Sequence, residues 1–282
     1  MSGIQLLQDP RACLEVTVRL IGISVAVSGL EWWTARRSFG DATHLGWPLL
    51  RHRFRFRRFA GLTRILGSIL GAQGFARMQL VRILAGLALI GLATDSIARP
   101  IALGIATAAA LLTHWRQFGV GVIGGDRMRL CVLGALTIRE LAPESHRVQL
   151  ATLAFIGGQC VLAYTTSGIL KFRKTKEWRN GTAIGLLMHH ELLGDATLSE
   201  WLLRNPGLNR LATWGILALE VFFPLALIGG LPVAGVFVSA VLLMHLAIGH
   251  WIGLAPFFWA FLATYPAVFF CSQWLWEAMG GR

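Results

Sequence analysis

Apolar runs separated by short charged or glycine-rich links fill most of the chain. The runs lie at 13–30, 80–98, 100–113, 148–170, 211–229, 232–253 and 254–271. Most approach the ~20 residues that a helix needs to cross a bilayer at 1.5 Å per residue. Residues 148–170 would extend about 34 Å as a helix. Residues 130–138 are apolar but too few to span. They read as a broken or tilted helix, a form that at membrane depth lines a cavity within protein. The pattern predicts an all-α integral membrane protein, a polytopic bundle of about seven full spans plus one broken or re-entrant helix.

Composition agrees. Of 282 residues 55% are hydrophobic and 14% charged, against about 25% charged in soluble domains. The expected organisation is an N-terminal transmembrane helix over 1–33, a basic amphipathic interfacial segment over 34–79, and a helical membrane domain over 80–282, with no soluble C-terminal domain. Trp32 and Trp33 suit an interfacial aromatic belt. The first run lacks a small-x-small cleavage site behind it, so no removable signal peptide is expected.

The net charge of +12 changes the picture at 34–79. Arg51, Arg53, Arg55, Arg57 and Arg58 alternate with phenylalanine in RHRFRFRRF. Arginine with aromatics suits nucleic acid. Here the segment lies between spans and continues into the apolar-basic GLTRILGSILGAQGFARM, so anionic lipid headgroups are the expected partner and nucleic acid is not. Positive charge marks the segment as cytoplasmic. Cys13, Cys131, Cys160 and Cys271 sit in apolar runs without CxxC or CxxH spacing, so no disulfide framework or zinc site is indicated. The His189-His190-Glu191 cluster lacks an HExxH pattern, and no metal is expected. The glycine-rich 119–128 lacks the Gly-Lys-Ser/Thr ending of a phosphate loop.

The candidate chemistry centres on Tyr164 to Ala183, YTTSGILKFRKTKEWRNGTA. Lys171 closes the long apolar run. It is either an anchor that snorkels to the interface or a partly desolvated amine able to act as a base. Gly181 is expected to relieve backbone sterics before Thr182, a candidate N-cap. Glu220 lies near the middle of an apolar run and must be paired, protonated or facing water. It would pair with an arginine such as Arg116 or Arg210, or line a cavity and hold Lys171 or a ligand hydroxyl. Pro224 frees the Glu220 carbonyl and kinks that helix. His245 is an intramembrane histidine, either a satisfied core side chain or a proton-transfer group. Tyr164, Thr165, Thr166 and Ser167 offer hydroxyls to a head group or bond their own helix backbone.

The motif Tyr164-x-x-Ser167-Gly168-x-x-Lys171, followed by Trp178-x-x-Gly181-Thr182-Ala183, resembles the signature of the HTTM (horizontally transferred transmembrane domain) family. That family includes the membrane domain of vitamin K-dependent gamma-glutamyl carboxylase and its bacterial relatives. The likeness continues through Arg204-Asn205-Pro206-Gly207, Thr213-Trp214, Glu220, Pro224, His245 and Gly253-Leu254-x-Pro256-Phe257. It covers roughly 75–270 and is strongest over 164–257. The resemblance implies Lys171 as base, with His245 and Glu220 shaping a catalytic pocket. It implies Tyr164, Ser167, Trp178, Asp126 and Phe257 against the substrate, a quinone or quinol as reactant, and a bacterial inner membrane as location. Gly125-Asp126 departs from the Asn-His pair of the carboxylase, since an aspartate presents no neutral imidazole donor. The rival reading is a non-enzymatic accessory or scaffold subunit of a larger membrane complex that binds lipids. A transporter is weaker, because no inverted repeat is visible.

Overall fold

A computed structural model describes residues 8–53, 60–117, 124–190 and 194–281. Every regular element among them is helical. In chain order the α-helices are α1 (Pro10–Thr34), α2 (Trp47–Leu50), α3 (Ala60–Leu70), α4 (Ala72–Gly91), α5 (Ala98–Arg116), α6 (Gly124–Arg139), α7 (His146–Lys174), α8 (Lys176–Asn180), α9 (Ala183–Met188), α10 (Ala196–Arg204), α11 (Pro206–Val221), α12 (Leu225–Ile228), α13 (Gly230–Ile252), α14 (Ala255–Leu262) and α15 (Tyr265–Ala278). Contacts divide the chain into one unit of residues 1–17 with 143–282 and another of residues 18–142.

Five helical stretches among the described residues are long and apolar enough to cross a membrane: Pro10–Phe39, Ala72–Gly91, His146–Lys174, Gly230–Ile252 and Ala255–Ala278. The last joins α14 and α15. Five apolar helices fit an integral membrane protein. Along α13, mean hydropathy reaches 2.3 while only 22% of the apolar window is buried within the protein. Val236 and Leu243 are 70% and 66% exposed. Such a face is costly in water and at no disadvantage in lipid tails.

Several expected boundaries move. The second apolar helix starts at Ala72, eight residues before the apolar run at 80–98. Gln79 is buried there because its amide bonds both Arg82 and Thr113. The short run 130–138 sits inside a continuous 16-residue helix, α6. Arg129 is buried in its first turns against Asp126 and Ser24, so charged residues extend a segment that hydropathy alone truncates. The expected span 100–113 forms α5, which is not among the five, and 211–229 is interrupted. Helix α11 stops at Val221 and α12 resumes at Leu225, the break that Pro224 imposes.

The unit of residues 18–142 packs α4 against α5 and α5 against α6. Gly22 and Gly86 let α1 and α4 touch closely, since a Cβ on either would lie within 2.8 Å of the other's carbonyl oxygen. Small residues at such crossings are the common solution in membranes. A second cluster gathers Phe39, Trp47, Leu66, Leu70, Phe75, Met78 and Ala109. Trp32 packs edge-on to Phe39 at 5.3 Å, so it serves this core as well as any interface. In the other unit, α7 is the axis, packed by α11 along one side and α15 along another.

Candidate functional site

Helix α7 carries the site. Tyr164, Ser167, Gly168 and Lys171 recur at three- and four-residue steps and so share one helical face. Tyr164 and Lys171 stand about 10 Å apart along the axis. Gly168 explains how α11 reaches that face. A Cβ there would lie 2.8 Å from Val221 Cγ2, 2.9 Å from Val221 N and 3.0 Å from Glu220 Cβ. Only a glycine lets the α11 backbone approach this closely. Because it does, the Glu220 side chain lands between Ser167 and Lys171.

Glu220 Oε1 accepts from Lys171 Nζ at 2.5 Å and from Ser167 Oγ at 3.3 Å. The Glu220 side chain is 6% exposed and that of Lys171 is 29% exposed. Trp178 covers the amine from another side, its ring centroid 4.7 Å from Nζ, a cation–π contact. Glu220 Oε2 is buried and has no hydrogen-bond partner among the described residues. Of the partners weighed for Glu220, Lys171 holds it. Arg116 belongs to the other unit, where it donates to the carbonyls of Leu70 and Leu45. Arg210 stands over the Trp214 ring at 5.8 Å.

One to two turns back along α7, Tyr164 forms the second half of the site. Its hydroxyl lies 2.7 Å from His245 Nε2 and 3.0 Å from the Tyr265 hydroxyl. The chain contains two tyrosines, and they bond each other. Four phenylalanines enclose the group. Phe223 and Phe261 lie 4.4 and 5.0 Å from the Tyr164 ring. Phe261 and Phe257 stack on His245 at 4.8 and 6.1 Å. Phe237 meets Phe223 edge-on. His245 Nδ1 is buried without a hydrogen-bond partner among the described residues. The apolar jacket surrounds a hydrogen-bonded chain Tyr265–Tyr164–His245.

No family model matches the chain. Searches of curated proteins and of solved structures likewise find no significant match. The site is therefore read from its own geometry.

The structure brings Lys171, Glu220, Ser167 and Trp178 into one cluster, and Tyr164 of α7, His245 of α13 and Phe257 of α14 into a second. Asp126 belongs to the other unit, where it pairs with Arg129 at 2.5 Å. Arg51 is exposed in a 3-10 turn that includes Arg53. Arg55, Arg57 and Arg58 lie outside the described residues. Thr166 bonds back to the Leu162 carbonyl at 2.5 Å. The Thr165 hydroxyl is buried and has no hydrogen-bond partner among the described residues. Thr182 does not cap with its side chain. Its hydroxyl bonds the Glu177 carbonyl at 3.4 Å, while Gly181 takes the left-handed conformation, φ 77°, that ends α8.

Tyr265, Phe261 and Phe223 were not singled out from the sequence. For Tyr265 a signal existed. A tyrosine inside an apolar run must place its hydroxyl on a partner, and few polar side chains in these runs could serve.

Proposed function

We propose that the chain is an HTTM-type integral membrane protein that takes a proton from a quinol-like or other lipid-soluble substrate, with Lys171 as the base. The observation that carries this reading is the Lys171–Glu220 pair, its carboxylate buried and its amine partly so, with one carboxylate oxygen unpartnered among the described residues. In a poorly solvated site a charged pair is costly, and neutralisation by proton shift is one way out. Moving the shared proton from Nζ to Oε1 leaves a neutral amine beside a neutral acid. The amine then takes the proton of a substrate hydroxyl, and the resulting ammonium faces the new oxyanion. Ser167 and Trp178 hold the pair in place. Tyr164, His245 and Phe257 offer a hydroxyl, an imidazole and flat apolar faces to the ring of a substrate. About seven crossings with one broken helix, a bacterial inner membrane, a cytoplasmic 34–79 segment and lipid headgroups at Arg51 and its neighbours belong to the same reading.

The test is optical. A hydroquinone added to the protein in lipid nanodiscs should show the red-shifted absorbance of its anion at a pH where free hydroquinone stays neutral. Lys171→Met and Glu220→Gln should each abolish that band. A wild-type spectrum identical to that of the neutral hydroquinone would remove Lys171 as base.

A second reading rests on the same pair seen differently. Lys171 is already satisfied by Glu220 and Trp178, as a structural bridge between α7 and α11 would be. An accessory subunit of a larger membrane complex, binding lipids and no substrate, then accounts for it.

A further inference from the structure

The unit of residues 18–142 holds a polar cluster that the Lys171 site does not use. Arg82 and Arg129 are each 1% exposed. Arg82 donates from Nη1 to Gln79 at 2.9 Å and from Nη2 to Ser28 at 3.0 Å, both neutral partners. Arg129 donates from Nε to Ser24 at 3.0 Å and from Nη1 to Asp126 at 2.5 Å. Of the two guanidiniums, Arg129 bonds a carboxylate directly and Arg82 bonds neutral groups. Glu31, half-buried, acts on both arginines through space.

Between them lies a cavity lined by Arg82, Thr113, His114, Gln117, Asp126 and Arg129, among others. Around it, Arg82 Nε, Arg129 Nη2, His114 Nδ1 and both amide atoms of Gln117 are buried without a hydrogen-bond partner among the described residues. Gln117 itself is 2% exposed. Buried polar atoms are seldom left unpaired, and here several belong to groups that donate. The cavity offers about 10 Å³ to the centre of a water-sized sphere, which is room for about one particle. A lipid headgroup or a tetrahedral oxyanion is larger than this, and a single-atom species suits it better.

We propose that this cavity is a binding site for one small inorganic anion of halide size, held by the free N–H groups of Arg82 and Arg129 and the Gln117 amide. A halide accepts from several donors at once and supplies the negative charge that the direct bonds leave short. A water molecule would satisfy some donors but none of the charge. The site lies in a different unit from Lys171, and the inference is independent of the proposed base chemistry.

The experiment is thermal unfolding of the full chain in nanodiscs at constant ionic strength, exchanging gluconate for chloride or bromide. The expected result is a saturable rise in Tm of about 5 °C at an anion concentration near 100 times Kd. Gln117→Met, which keeps the side-chain volume, and Arg82→Gln should each weaken the apparent Kd about tenfold. Lys171→Met should leave it unchanged. Because Arg82→Gln could fold poorly, wild-type crystals grown in bromide provide the second readout, an anomalous peak between Arg82 and Arg129. Equal Tm in gluconate and chloride, or crystals without that peak, would mean that only water fills the cavity and would overturn the proposal.

Discussion

Removing the Lys171 amine tests how the α7–α11 contact is built. In Lys171→Met the Glu220 carboxylate stays buried, its side chain 6% exposed, with the Ser167 hydroxyl at 3.3 Å as the remaining donor among those described. Stranding one member of a buried pair costs about 3–5 kcal/mol. Because Lys171 is 29% exposed, the lower end applies, about 3 kcal/mol. Glu220→Leu should cost less, about 1–2 kcal/mol, since the freed amine keeps the Trp178 face and can reach outward along its flexible stem. The double variant Lys171→Met/Glu220→Leu replaces the pair by apolar groups and should return to within about 1 kcal/mol of wild type. The double-mutant cycle then gives a coupling of about 3–5 kcal/mol. Reversible unfolding in mixed micelles measures all four corners. Strictly additive losses, or a Lys171→Met cost below about 0.5 kcal/mol, would refute a nearly dry pair.

Three further outcomes follow from the same contacts. Gly168→Ala should cost about 1–3 kcal/mol, because its Cβ would meet backbone and side-chain atoms of Val221 and Glu220 at 2.8–3.0 Å; a neutral result in the same assay would mean that α11 does not sit where described. Tyr164→Phe should destabilise more than Tyr265→Phe, about 2 against about 1 kcal/mol, since Tyr164 is the hydroxyl bonded to both neighbours; equal losses would contradict that order. Trp178→Ala should raise the rate of Lys171 acylation by a water-soluble amine reagent, read by peptide mass spectrometry, as its ring lies 4.7 Å from the amine; an unchanged rate would show that the ring does not shield it.

The central segment was legible because its constraints are local. The 148–170 run, the glycine and the closing lysine lie within a few turns of one helix, and α7 contains them all. Pro224 announced its own break. Glu220 was recognisable as needing a partner, and Lys171 was among those weighed. What the chain did not reveal is which distant segments converge. Tyr265 meets Tyr164 across 101 positions, and that meeting depends on close packing at Gly157, where a Cβ would come within 3.2 Å of the Ala267 carbonyl oxygen. Hydropathy also misjudged α6 and the start of α4. Arginines that read as interruptions are buried there, because Asp126, Gln79, Ser24 and Ser28 take up their hydrogen bonds.

The most direct test of a proton-abstracting site on α7 is to purify the protein gently in native lipid and identify every bound small molecule by mass spectrometry. The account predicts a stoichiometric quinol-like compound with an ionisable hydroxyl, retained by wild type and lost from both Lys171→Ala and His245→Ala. Phospholipid alone in all three samples, with a large membrane complex co-purifying, would contradict it and make the Lys171–Glu220 pair a structural bridge.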